Sequence, residues 1–325
     1  MNNSPSSVFV ETFGTKAPLI QGPMSGTSGP ALVAAVANAG GLGMLPVWGR
    51  SVADAQSMIA ETRALTDGPF GVNLRSDFKQ LDHIAMAAGS GAPIIHLFWG
   101  DPGPSAAAVR AANATLIVTV DDADAAKAAL DAGAAALIAQ GVEAGGHVLS
   151  ETPRDELLST VLDLAGAVPV IAAGGLSTSG DVARVVAAGA AGALCGTRFV
   201  ASDEADAHDA YKQALINAGA NATVRTKVFD IGWPDAPLRA LRNSTYDMWE
   251  AAGCPESGQR PGEGDIVMTF SNGEGLPRYH AMAPKRGMSG EFEAAVMYAG
   301  TGVESVRDIR PAADIVAELA SAIEL

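Results

Sequence analysis

Within "ALIAQGVEAGGHVLSE", residues 136–151, an amide, a carboxylate and an imidazole stand close together as Gln140, Glu143 and His147, separated by Gly141, Gly145 and Gly146. An imidazole with an ordinary pKa near 6.5 suits proton transfer at neutral pH, and paired glycines leave bare backbone beside it. His147 reads as a catalytic or substrate-contacting group, with a structural hydrogen-bonder as the alternative. Further on, "IAAGGLSTSGDVARVVAAGAAGALCGTRF" places Ala173-Gly174-Gly175 after one apolar segment and Gly196-Thr197 after the next. Bare amides at such turns bind phosphate, although glycines also serve simply to make turns tight. Asn73 in "FGVNL" either caps a turn or, like Gln140, fixes a flat heterocycle by donating and accepting at once. Gly22, Pro23 and Met24 offer an apolar wall with free backbone groups, or ordinary loop packing.

Other chemistries lack their residues. His83, His96, His147, His208 and His280 show no ligand spacing and few acids cluster near them, so no metal is expected. No GxSxG elbow supports a serine triad. Cys195 lies in an apolar run and reads as a reduced core residue, and neither it nor Cys254 belongs to a CxxC pair.

The elements that must position these groups follow one rhythm from Ala17 to about Ser202. Eight short apolar segments, "APLIQGPM", "GLGMLPVWG", "FGVNL", "PIIHLFWG", "ATLIVTV", "AAALIAQG", "PVIAAGG" and "AGALCGTRF", alternate with Ala-rich amphipathic stretches. Continuous apolar runs separated by helices mean parallel strands covered on both faces, and eight such units predict an α/β fold, a (β/α)8 TIM barrel. An open doubly wound sheet would need a GxGxxG turn, which "QGPMSGTSG" lacks. The polar residues above all fall at strand C-terminal ends, where barrels keep their function. Residues 1–219 are expected to form the barrel, completed by a C-terminal helix within 301–325, with 220–300 as a mostly helical lid or insertion. The start, "MNNSPSSVFVETFG", reads as polar and frayed.

Composition sets the outer limits. Hydrophobic residues make up 48% of the 325, enough for a sizeable core, and the net charge is −15. A surface that acidic repels phosphate backbones and anionic lipid, so neither nucleic acid nor a membrane is an expected partner. Without a leader-like start or a run of membrane-spanning length, a cytoplasmic protein is expected.

Taken in order, "PLIQGPM" (18–24), "FGVNL" (70–74), "QGVEAGGH" (140–147), "VPVIAAGGLSTSGDV" (168–182), "AAGAAGALCGTRF" (187–199), "MYAGTGV" (297–303) and "IRPAADIV" make the chain resemble the nitronate monooxygenases, formerly 2-nitropropane dioxygenases. The resemblance spans nearly the whole chain and implies an FMN-dependent barrel. It implies that Gly22, Pro23 and Met24 line the flavin ring, that Asn73 and Gln140 hydrogen-bond it, and that Gly146 approaches it by its backbone. Ala173, Gly174, Gly175, Gly196 and Thr197 would hold the FMN phosphate, and His147 would be the active-site histidine. The implied partners are a small-molecule nitronate or other electron donor and O2, and the resemblance leaves a homodimer open. The alternative it allows is an NAD(P)H-dependent flavin reductase of the quinone or enoyl-acyl-carrier-protein type. The chain departs from the family pattern in two places: Val148 and Leu149 follow His147 where Arg-Gly is usual, and Trp99 brings bulk toward the barrel mouth.

Overall fold

The computed structural model describes residues 4–323. Eight parallel strands close on themselves: β1 (Leu19–Gln21), β2 (Leu42–Pro46), β3 (Phe70–Arg75), β4 (Ile94–Phe98), β5 (Thr115–Val120), β6 (Ala136–Gln140), β8 (Val170–Ala173) and β9 (Gly192–Cys195). A two-residue strand, β7 (Gly146–His147), lies outside the barrel in the loop after β6. The barrel is the one the eight apolar segments predict. Each strand is buried on both faces, so each reads as a continuous apolar run.

Helices α2 (Pro30–Asn38), α3 (Val52–Leu65), α4 (Leu81–Gly89), α5 (Gly103–Ala111), α6 (Ala123–Asp131), α7 (Arg154–Ala165) and α8 (Ser179–Ala187) follow the first seven barrel strands. After β9 come the short α9 (Thr197–Val200) and α10 (Asp209–Asn217). The stretch holding α10 reads from sequence as the eighth helix of the ring. Instead Tyr211 and Leu215 of α10 pack with Leu241, Met297, Ala299 and Val303 above the barrel. The place beside α2 and α8 is taken by α12 (Ala312–Ala320), which buries Ile315, Val316 and Leu319 there.

Two further expectations are corrected. The polar start is not frayed from Ser4 on: α1 (Pro5–Phe13) is capped by Ser4 Oγ, opened by Pro5 and closed by Gly14 at φ 67. Its Phe9 and Phe13, one turn apart, seal the barrel floor against Ile20, Leu42, Met44 and Ile171. The 220–300 stretch is not mostly helical. It holds one α-helix, α11 (Ser244–Ala251), with strands β10 (Thr223–Thr226), β11 (Leu238–Leu241), β12 (Ile266–Thr269), β13 (Gly275–Pro277) and β14 (Ser289–Gly290). β10, β11 and β7 form one antiparallel sheet, which ties the insertion to the loop after β6. Among the described residues no helix is long and apolar enough to cross a membrane.

Candidate active site

The C-terminal ends of the barrel strands surround a cavity of about 520 Å³. Eleven of the twelve residues named from sequence line it: Gly22, Pro23, Met24, Gln140, Gly146, His147, Ala173, Gly174, Gly175, Gly196 and Thr197. The insertion closes the far side with Gly232, Trp233, Lys285, Tyr298 and the segment His280–Ala283. No aspartate or glutamate lies on this wall, although the chain has 36 acids against 21 lysines and arginines. The permanent charges there are Arg50 and Lys285, so the cavity favours an anion inside an acidic molecule.

Two loops form a cradle on one side. Among the described residues, the N–H groups of Gly174, Gly175, Gly196 and Thr197 donate to no protein acceptor. Gly175 has φ +66, and a Cβ there would lie 2.7 Å from Thr301 Oγ1, so a larger residue would both strain and fill the cradle. The second loop is tied to the segment that follows Tyr298, where Gly300 N donates to Thr197 Oγ1 at 3.0 Å. Arg154 Nη1 donates to Gly174 O at 2.8 Å and fixes the first loop. Unpaired amides at strand ends are able to accept an anion.

His147 stands at the end of the loop after β6. β7 pairs with β11 through Leu238↔His147, and Val148 N donates to Pro237 O at 3.0 Å, so the insertion holds the histidine's backbone. The glycines before it have separate reasons. A Cβ on Gly145 would lie 2.5 Å from Gly300 N, whereas Gly146 has open space but φ +82. Glu143, which sequence left without a role, accepts from Arg154 N at 2.9 Å and 3.1 Å and so caps α7, whose own N-cap Pro153 offers no side chain. The imidazole stacks on Trp233 at 3.8 Å between centroids, with Trp99 edge-on at 5.8 Å and Tyr298 at 5.7 Å. Burial, with the Arg75 cation nearby, lowers its pKa to about 3, so it is neutral at neutral pH. Its Nε2 is buried with no hydrogen-bond partner.

Asn73 is the residue that does not reach the wall. Its Nδ2 donates to His96 Nδ1 at 3.1 Å, and His96 Nε2 then donates to Thr119 Oγ1 at 2.7 Å. This chain fixes the His96 tautomer, and burial lowers its pKa to about 3. Asn73 thus stands one layer behind His96, and among the described residues its amide oxygen has no protein donor. Gln140, by contrast, lies on the wall, and among the described residues its amide has no protein partner. Gln21 was passed over in sequence. Its buried amide donates to Gly22 O and Ser28 Oγ and accepts from Met44 N, which pins the loop carrying Pro23 and Met24. Trp233 and Arg75 were also missed: an isolated tryptophan in "DIGWPDAP" and a basic strand end carry no local signal of a shared site.

A closed (β/α)8 barrel with a cavity at the C-terminal ends of its strands, bare amides after its last two strands and a neutral histidine on the wall is the frame of an enzyme. The nitronate monooxygenase family model matches residues 6–90 and 78–322, and the chain belongs to that family. It is 31% identical to a nitronate monooxygenase of Paraburkholderia phytofirmans, with 94% of this chain and 92% of the relative covered. It is 34% identical, over 76% of this chain and 69% of the relative, to a Rhodococcus jostii protein named (3aS,4S,5R,7aS)-5-hydroxy-7a-methyl-1-oxo-octahydro-1H-indene-4-carboxyl-CoA dehydrogenase. Among solved structures it is similar to a nitroalkane oxidase from Streptomyces ansochromogenes, with TM-score 0.77 at 28% identity, covering 97% of this chain and 98% of that one. The protein is a flavin-dependent oxidoreductase.

Proposed function

We propose that this protein binds FMN in the barrel-mouth cavity and oxidises alkyl nitronates with O2 to a carbonyl compound and nitrite. The observation that carries the reading is the arrangement of the carboxylate-free cavity: a bare amide cradle on one side and a neutral histidine on another. FMN fits what is present. The amides of Gly174, Gly175, Gly196 and Thr197 would take its phosphate; Gln140 would face the ring system, with Asn73 fixing His96 from behind; Gly22, Pro23 and Met24 would form its apolar wall; and the backbone of Gly146 would come beside it. When bound, FMN supplies the electron acceptance that no side chain can. The chain's own residues do the rest. Arg50 and Lys285 draw an anionic substrate inward, and His147, neutral at working pH, holds one nitro oxygen or takes a proton from the carbon of a neutral nitroalkane. In this reading residues 1–219 with 301–325 carry the cofactor and 220–300 cover the substrate.

A second reading keeps fold and flavin but changes the electron donor to NAD(P)H. It is favoured by Val148, fully buried where the resemblance leads one to expect a cation, so the residue after His147 gives a nitronate nothing to bind. Anaerobic mixing of the purified flavoprotein with nitronates, nitroalkanes, NADH and NADPH separates the two. Bleaching of the flavin by nitronates alone is expected, with His147→Asn slowing it on the order of 10²–10⁴-fold. Bleaching by NADH or NADPH but by no nitronate would overturn the first reading in favour of the second.

A further inference from the structure

The insertion does more than hold the backbone of His147. Its residue Trp233 lies flat against the imidazole, 3.8 Å between centroids and 23° between planes. The indole is only 6% exposed and meets Trp99 at 4.8 Å, Trp48 at 5.3 Å and Phe98 at 6.0 Å. The guanidinium of Arg75 sits 3.4 Å from the ring centroid and is itself held by Asp77. This is an aromatic box with a cation in its wall, closed over a cavity side chain whose buried nitrogen has no partner among the described residues.

Two features distinguish Trp233 from ordinary packing. A buried tryptophan normally places its indole N–H on an acceptor. Trp249 does so, donating to Pro255 O at 2.9 Å, whereas among the described residues Trp233 Nε1 donates to none and is open to the cavity instead. The backbone is also tied on both sides and loose between. Ile231 is anchored to Tyr279 and Ala281, Trp233 N donates to Asp230 O at 3.1 Å, Pro237 O accepts from Val148, and residues 234–236 donate no backbone hydrogen bond. The loop turns through Gly232 at φ +93 and Asp235 at φ +57. With its backbone tied to Asp230, the indole can leave His147 by rotating about its own side-chain bonds without disturbing β7 or β11.

We propose that Trp233 is the specificity-determining residue of this site: a displaceable cover on His147 whose place is taken by a flat, conjugated substrate group with short substituents. A planar nitronate on a short chain can replace the indole against the imidazole and lie between Trp48, Phe98 and Trp99. A long chain has no room until the indole is gone. The identity of the substrate rests on the function proposed above; the cover itself does not.

The test measures carbethoxylation of His147 by diethylpyrocarbonate in the flavin-loaded enzyme, followed by peptide mass spectrometry, beside kcat/KM for ethyl nitronate and octyl-1-nitronate. Trp233→Ala should raise His147 labelling several-fold and shift the preference toward the octyl substrate by about tenfold or more. Trp233→Phe, which keeps a ring and so the fold, should give intermediate values for both. Unchanged labelling in both variants would overturn the cover, and raised labelling with unchanged preference would overturn its role in selection. Raised labelling in an enzyme that turns over no nitronate would support the cover and overturn the substrate reading alone.

Discussion

His96 and His147 are buried imidazoles whose pKa values are lowered to about 3, both chiefly by burial and His147 further by Arg75. In the unfolded chain both titrate near 6.5. Between these values the unfolded state binds protons that the folded state refuses. Their contribution to stability is therefore complete above about pH 6.5 and falls as the pH drops toward 3, by about 1.4 kcal/mol per pH unit for each histidine. Thermal or urea unfolding followed from about pH 6.5 down to 5 should show a shallower slope for His96→Gln than for the parent. Equal slopes would mean that His96 is not the group being charged. At this scale the sequence showed what local pattern can show. His147 stood out because two glycines precede it, and Gln140 because it ends an apolar strand. Trp233 and Arg75 reach the same imidazole from distant segments, and nothing near either residue signals that meeting. Asn73 was seen at the right strand end, but whether it faces the cavity or His96 is decided by a neighbouring strand.

The loop from Gly141 to His147 is the element on which the site turns, and its glycines make a prediction by contrast. Gly145 lacks room, because a Cβ would meet backbone at Gly300 N, 2.5 Å away, and at Ala299 C, 2.6 Å away. Gly146 has room but a left-handed backbone, which costs a non-glycine residue about 1–2 kcal/mol. Gly145→Ala should therefore lower the melting temperature more than Gly146→Ala. It should also release flavin more readily, since displacing Gly300 disturbs its bond to Thr197 on the phosphate loop. Thermal melts and flavin retention on gel filtration measure both, and a Gly146→Ala variant that is the more damaged of the two would refute the account. The strands were legible because a barrel strand buried on both faces needs no partner pattern to be seen. The insertion was not. β11 lies in a stretch that carries a helix-like pattern, and it is a strand only because β10 and β7 flank it. Long-range pairing of this kind leaves little trace in local periodicity.

The whole molecule separates stability from chemistry along the barrel axis. The cavity and insertion occupy the C-terminal ends of the strands, while α1 closes the floor with Phe9 and Phe13 against the innermost layer of strand side chains. Sequence reading missed that plug because a polar, proline-bearing start resembles a loose tail, yet Ser4 and Pro5 are a helix start and the two phenylalanines one turn apart make an apolar edge. Phe9 is fully buried and meets Phe13 edge-on at 4.9 Å. Truncating such a ring costs about 3–5 kcal/mol, the lost transfer energy plus the cavity left behind. In a domain of this size, each kcal/mol corresponds to about 2–4 °C or less in melting temperature. Phe9→Ala should thus melt several degrees lower than the parent while binding flavin with the same affinity at a temperature where both are folded, because the cradle glycines lie at the opposite ends of the strands. Calorimetry and a flavin titration of the two proteins decide the matter. A parent-like melting temperature would show that the floor needs no plug, and weakened flavin binding in the folded variant would show that the two ends of the barrel are coupled through its core.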